Sequence, residues 1–178
     1  NDRMARTPMV NSLNPKALEY IVEEIDKMDF NSIWVADHLN MNNETPILEG
    51  LTTLSWASNI SKRLRFGNIH YNNLLRNPSL TAKMYSTLDG ITEGRMNFFI
   101  DGGHPGTKNE VESYGYNFLS DTERIEQLEE AIKIIKLMWS QEDSSFQGNH
   151  YNIRKPLVFP KPSQKPHPPI WIGSLTES

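Results

Sequence analysis

At 178 residues the chain is long enough for one ordinary domain with a real core, and its lack of cysteine excludes disulfides, thiolate metal sites and cysteine nucleophiles. Its net charge of -4, with no basic face interleaved with aromatics, gives no footprint for nucleic acid, so any anionic cofactor must be held locally. No apolar run approaches the roughly 20 residues of a membrane-spanning helix and the N-terminus lacks a signal-peptide core, so no membrane partner is expected and the cytoplasm is the expected compartment.

Taken in chain order, residues 1–13 carry no periodic signal and read as a loop. Asn14-Pro15 then has the form of a cap followed by a first-turn proline, and Leu18, Ile21, Val22, Ile25 and Met28 fall on one helical face. Ser32-Ile-Trp-Val-Ala is short and β-prone, which suits a buried parallel strand ending at Asp37-His38. Thr45-Pro46 predicts the start of a second helix carrying Leu48, Leu51, Leu54 and Ile60.

The centre of the chain is a βαβ unit. A strand from Arg65 to Tyr71 leads through Asn72-Asn73 to a helix capped by Asn77, with Pro78 in its first turn and Leu80, Met84, Leu88 and Ile91 as its apolar face. Gly90 and Gly94 release the chain into a strand from Met96 to Ile100, which runs into Asp101-Gly-Gly-His104. A strand, a crossover helix and a strand imply parallel pairing, and the spacing between strand centres near Val35, Gly67 and Phe98, roughly thirty residues, is that of βα units.

Beyond Gly106 the sequence predicts a polar loop with one short helix around Glu110. Ser120-x-x-Glu123 forms a capping box ahead of a helix carrying Ile125, Leu128, Ile132, Ile135 and Met138. Phe146 to Tyr151 reads as a hairpin, and six prolines between Pro156 and Pro169 call for an extended surface segment. Ile170-Trp-Ile-Gly is a last strand. Trp34, Trp56, Trp139 and Trp171 all lie in apolar settings and are expected in the core.

Leu64-Arg-Phe-Gly, Arg76-Asn-Pro, Ala82-Lys, Thr87-Leu-Asp, Gly94-Arg, Tyr114-Gly, the Arg124 to Trp139 helix, Phe146-Gln-Gly and Pro168-Pro-Ile-Trp-Ile-Gly follow one another in an order that resembles the bacterial luciferase-like flavin monooxygenases, a family that includes relatives dependent on the deazaflavin F420. The resemblance covers nearly the whole chain from Ile33. It implies an α/β fold, a (β/α)8 TIM barrel of the luciferase-like type, with FMN or F420 at the C-terminal ends of the strands. Such a barrel needs roughly 200 to 250 residues, so the chain is expected to hold it only in part. Residues 1–178 are read as one partial barrel domain of about four strands, lacking the first strand and the last three.

In a barrel, function sits in the loops after the strands, which here hold Asp37-His38, Asn72-Asn73, Asp101 to His104 and Gly173-Ser174. Asp37-His38 is either a turn with an aspartate cap or a polar pair in which His38 transfers a proton. Asn72 and Asn73 are either loop residues or amides for the polar edge of a flavin. Gly102 and Gly103 mark a turn and would let the main chain approach a planar ring. They form no dinucleotide fingerprint, because no helix opens from them at the required spacing. Phe99 and Asp101 stand where relatives commonly carry small residues, so Asp101 either displaces the cofactor or makes a polar contact of its own. His104 occupies a position where some deazaflavin relatives carry a catalytic acid; the alternative is a solvated loop histidine. Gly173 and Ser174 complete the expected cofactor-binding set. Glu110 and Arg124 are assigned first to tying the long loop to the helix that follows it.

The spacing of the five histidines supports no metal site, and no Gly-x-Ser-x-Gly nucleophile motif occurs. The resemblance implies an enzyme, a flavin-dependent monooxygenase using reduced flavin and dioxygen on a small organic substrate. A separate flavin reductase would be its partner, with a homo-oligomer as an allowed state. The alternatives are F420-dependent hydride transfer and a non-catalytic or truncated barrel relative.

Overall fold

The computed structural model describes residues 4–6, 14–41, 45–142 and 144–173. Its first half comprises β1 (Met4–Arg6), α1 (Pro15–Lys27), β2 (Ser32–Val35), the short strands β3 (Asn40–Met41) and β4 (Thr45–Pro46), α2 (Gly50–Ala57), β5 (Arg65–Asn68) and β6 (Tyr71–Asn72). Then follow α3 (Pro78–Ile91), β7 (Met96–Asp101), α4 (Lys108–Ser113), α5 (Asp121–Ser140), the hairpin of β8 (Phe146–Gln147) and β9 (Asn152–Ile153), and β10 (Ile170–Ile172).

β1, β2, β5, β7 and β10 lie side by side in that order, every neighbouring pair parallel, and β6 adds a second parallel pairing to β7. The strand expected from Arg65 to Tyr71 is thus two strands, interrupted at Ile69-His70. β1 corrects the loop predicted for residues 1–13 at residues 4–6, and the rest of that stretch lies outside the described residues. Three residues are too few to show alternation, and it is the register of Met4 to Arg6 against Ser32 to Trp34 that makes them a strand.

Alternation separates the two faces of the sheet. Ile33, Val35, Phe66, Met96, Phe98 and Ile100 point to the helices and build one core with Val22 of α1, Leu54 of α2, Tyr85 of α3 and Trp139 of α5. The opposite face carries Trp34, Phe99 and Trp171, whose ring centroids lie 5.4 to 6.0 Å apart. Trp34 packs beneath Gly67, where a Cβ would come within 2.6 Å of its ring. Trp34 and Trp139 are buried as expected, whereas Trp56 and Trp171 are more than a third exposed.

The capped helices form where the sequence puts them. Asn14 and Asn77 accept amides of α1 and α3, and Ser120 and Glu123 close a reciprocal capping box on α5. Two expectations fail. Thr45-Pro46 pairs with β3 instead of opening a helix, and α2 starts at Gly50, where Glu49 accepts the amides of Leu51 and Thr52. On α3 the expected apolar stripe is split: Leu88 is buried and Met84 packs against the core, but Leu80 and Ile91 are more than half exposed. The buried face joins Leu88 to Ala82, Tyr85, Ser86 and Asp89. Its polar atoms are satisfied at long range, Tyr85 donating to Asn68 and Asp89 accepting from both nitrogens of Gln164. Gln164 lies in the proline-rich segment and thereby staples it to the helix layer.

Candidate active site

Parallel strands with helices on one face deliver every βα loop to the same end of the sheet. There the chain encloses a cavity of about 520 Å³. Asp37 and His38 follow β2, His70 follows β5, and Asn72 ends β6. Asp101 to His104 end and follow β7, and Gly173 follows β10; all of these line the cavity. Arg124, Ile125 and Leu128 of α5 close another side. Of the residues expected at the site, Asp37, His38, Asn72, Asp101, Gly102, Gly103, His104 and Gly173 are brought together. Asn73 is not: it is buried away from the cavity in a 3-10 turn, its Nδ2 3.4 Å from the Tyr151 hydroxyl. Ser174 lies outside the described residues.

Asp37 is an anchor. Its carboxylate is buried, accepts both Arg76 Nη1 and Nη2 at 2.8 Å, and takes the Asn72 amide at 3.0 Å. Burial pushes the Asp37 carboxyl upward against those bonds. In Arg76, burial works against the charge, but the bonds to Asp37 outweigh it and keep the guanidinium protonated. The pair joins the loop after β2 to the turn after β6.

His38 has a different partner, one the sequence reading assigned elsewhere. Its Nδ1 lies 2.8 Å from Glu110 Oε2 of α4, 72 residues away in the chain. The other Glu110 oxygen accepts the amides of Leu39 and Asn40. A carboxylate only accepts, so Nδ1 carries the proton and Nε2 is left for the cavity. The Glu110 bond holds His38 above the usual histidine range against the opposing effect of burial. Burial pushes Glu110 up, but His38 and the loop amides outweigh it and bring the carboxyl below its ordinary value. Arg124, by contrast, does serve the long loop, with bonds to Leu119 O and Asp121 and its guanidinium 4.4 Å from the Phe118 ring.

His70, which sequence reasoning passed over, forms a second pair, with Nδ1 3.1 Å from Asp101 Oδ2. The other Asp101 oxygen accepts the Gly103 amide at 3.0 Å. Gly103 has φ of +76°, and a Cβ there would meet Leu74 at 2.8 Å, so both conformation and space call for glycine. His104 is held differently: its Nδ1 accepts the Gly106 amide and caps a 3-10 turn. Asn72 similarly caps with its Oδ1, on Leu74 N, which leaves its amide nitrogen as a donor.

A parallel sheet with a polar, histidine-bearing cavity at the carboxyl ends of its strands is the arrangement of an α/β-barrel enzyme. The chain belongs to the luciferase-like monooxygenase family, whose profile it matches over residues 4–178. An F420-dependent glucose-6-phosphate dehydrogenase of Kineococcus radiotolerans is 27% identical over 165 residues, 90% of this chain and 47% of the relative. An FMNH(2)-dependent dimethylsulfone monooxygenase of Pseudomonas putida is 36% identical over 101 residues, 57% of this chain and 27% of the relative. An F420-dependent secondary alcohol dehydrogenase in complex with an F420-acetone adduct superposes with a TM-score of 0.80 at 21% identity, covering 96% of this chain and 51% of that one. The fold is therefore a luciferase-like TIM barrel present in part, and the chain spans about half the length of the curated relatives it matches over most of its own. Relatives of this kind are oxidoreductases.

Proposed function

We propose that the whole protein is a flavin-dependent monooxygenase that uses reduced FMN and dioxygen on a small organic substrate. The observation that carries this reading is the His38–Glu110 pair at the cavity where the strand ends converge. The cavity fits a planar cofactor: its volume lies within the usual range for small-molecule sites, and Gly102, Gly103 and Gly173 keep side chains out of its strand side. Asn72 and His70 add hydrogen-bonding groups for the polar edge of a flavin. Bound reduced flavin would supply the electrons that activate dioxygen.

The chain's own part is proton delivery and exclusion of water. Oxygenation with release of water needs a proton donor, and a histidine whose protonated form is favoured by its bond to Glu110 is suited to that role. Ile125 and Leu128 wall the same cavity with apolar surface. Reduced flavin would come from a separate reductase.

F420-dependent hydride transfer is the second reading, supported by the dehydrogenase relatives that match about nine-tenths of the chain. It would ask His38 to accept a proton. Spectra of the full-length protein after loading separate the two: retention of the FMN absorption bands supports the first, and deazaflavin fluorescence the second. In the loaded enzyme, His38→Asn should lower turnover by roughly a hundredfold or more with cofactor affinity nearly unchanged. Normal turnover at saturating reduced cofactor would remove His38 from the reaction.

A further inference from the structure

The departure at Asp101 acquires a role from its partner. We infer that His70, oriented by Asp101, faces the cofactor ring and accepts a hydrogen bond from a ring N–H, and that Asp101 acts through this histidine without touching the ring itself. The inference rests on the reading of the cavity as a flavin or deazaflavin site.

The imidazole is fixed on three sides. Asp101 Oδ2 holds Nδ1 at 3.1 Å, and the Phe99 ring packs edge-on at 4.4 Å between centroids. On the third side the main chain of Gly173 comes so close that a Cβ would lie 3.2 Å from His70 Cγ and from Asp101 Cβ. The remaining side of the ring opens to the cavity, where the side chain is 37% exposed.

Because Asp101 can only accept, the proton of the neutral ring sits on Nδ1 and Nε2 carries the lone pair. Both Asp101 oxygens are already engaged, one by His70 and one by the Gly103 amide, so the carboxylate is a positioning group. An acceptor in a fixed orientation suits the carbonyl–NH–carbonyl edge that flavins and deazaflavins share. Phe99 and Asp101 are thus two parts of one device, the aromatic ring bracing the histidine that the carboxylate orients.

The test is ¹⁵N-histidine NMR on the full-length protein, with the His70 signals identified by their loss in His70→Gln. The expected wild-type spectrum shows the Nδ1-protonated tautomer, and oxidised FMN or oxidised F420 moves the Nε2 resonance. His70→Ala and Asp101→Asn should each weaken binding of the loaded cofactor by roughly tenfold. The double variant should lose no more than the worse single one. An Nε2-protonated tautomer, an Nε2 signal unmoved while cofactor binds, or losses that multiply in the double variant would each overturn the inference. Failure of the wild-type chain to bind either cofactor would instead overturn the reading of the cavity, and this inference with it. The tautomer and the Nε2 shift are read on the wild-type protein, so poor folding of Asp101→Asn cannot mimic either result.

Discussion

At the N-terminal ends of the strands, arginines bond mainly to main-chain oxygens; at the C-terminal ends, carboxylates each bind a side chain as well as main-chain amides. Below the sheet Arg63 reaches the carbonyls of Phe30, Asp26 and Met28, and Arg65 those of Gly94 and Met96. Arg95 reaches the carbonyls of Thr92, Ser61, Leu64 and Ser58. Such bonds join one connection to the next. Above the sheet Asp37, Glu110 and Asp101 each orient a cationic or imidazole partner. In two of the three pairs, a ring nitrogen stays free. The same kinds of charged residue therefore fasten chain at one end and prepare chemistry at the other.

The comparison breaks hardest at Arg76, a cation of the upper end whose hydrogen bonds go to Asp37 and Glu49. Arg76→Met leaves Asp37 buried without its partner and should cost about 3 to 5 kcal/mol in a denaturant melt. A loss below about 1 kcal/mol would show that another group takes over the carboxylate. Arg95→Met should cost less, about 1 to 3 kcal/mol for the carbonyls it abandons, and leave cofactor affinity unaltered. A change in affinity would erase the division between the two ends.

Smaller again is the pH dependence of the His38–Glu110 pair. His38 is raised above 6.5, so its share of stability is full below that pH and is lost as pH rises through the higher folded value. Glu110 is lowered below 4.5, so its share is present above that pH and is lost as pH falls through the lower folded value. The difference in unfolding free energy between wild type and Glu110→Gln should form a plateau from pH 4.5 to 6.5 and shrink on the alkaline side. A difference that grows above pH 6.5 would mean that the neutral ring is the one Glu110 favours. Least of all should be Leu80→Ala, within about 0.5 kcal/mol because the side chain is mostly exposed. Leu88→Ala, one face round the same helix, should cost about 2 to 5 kcal/mol.

Local rules read the caps of α1, α3 and α5 and the parallel order of β2, β5, β7 and β10, because those signals lie within a few residues of the feature they mark. They failed where a distant partner decides. Asp89 and Tyr85 look like poor core residues until Gln164 and Asn68 supply their bonds, so Leu80 and Ile91 attracted the assignment of the α3 face instead. The start of α2 moved for the same reason, since Glu49 both caps the helix and meets Arg76 from the turn after β6. At the site, convergence of the loops was legible from strand order alone. The pairing of Glu110 with His38 was not, because 72 residues separate them and no spacing rule links them. His70 left one trace, the unexplained Asp101 on the neighbouring strand.

The place of β10 in the sheet has a kinetic consequence. β5 meets β7 across 30 residues, from Phe66 to Met96, whereas β7 meets β10 across 72, from Phe98 to Ile170. The longer closure costs about 0.8 kcal/mol more in chain entropy, and the strand that repays it has only three residues, two of them substantially exposed. β10 should therefore dock after β2, β5 and β7 have assembled and open before they do. Its following residue, Gly173, bonds to Ile100 O and closes one side of the cavity. Amide exchange at Gly173 should accordingly run ahead of that at Phe66, with the cavity losing its wall in brief openings that leave the rest of the sheet intact.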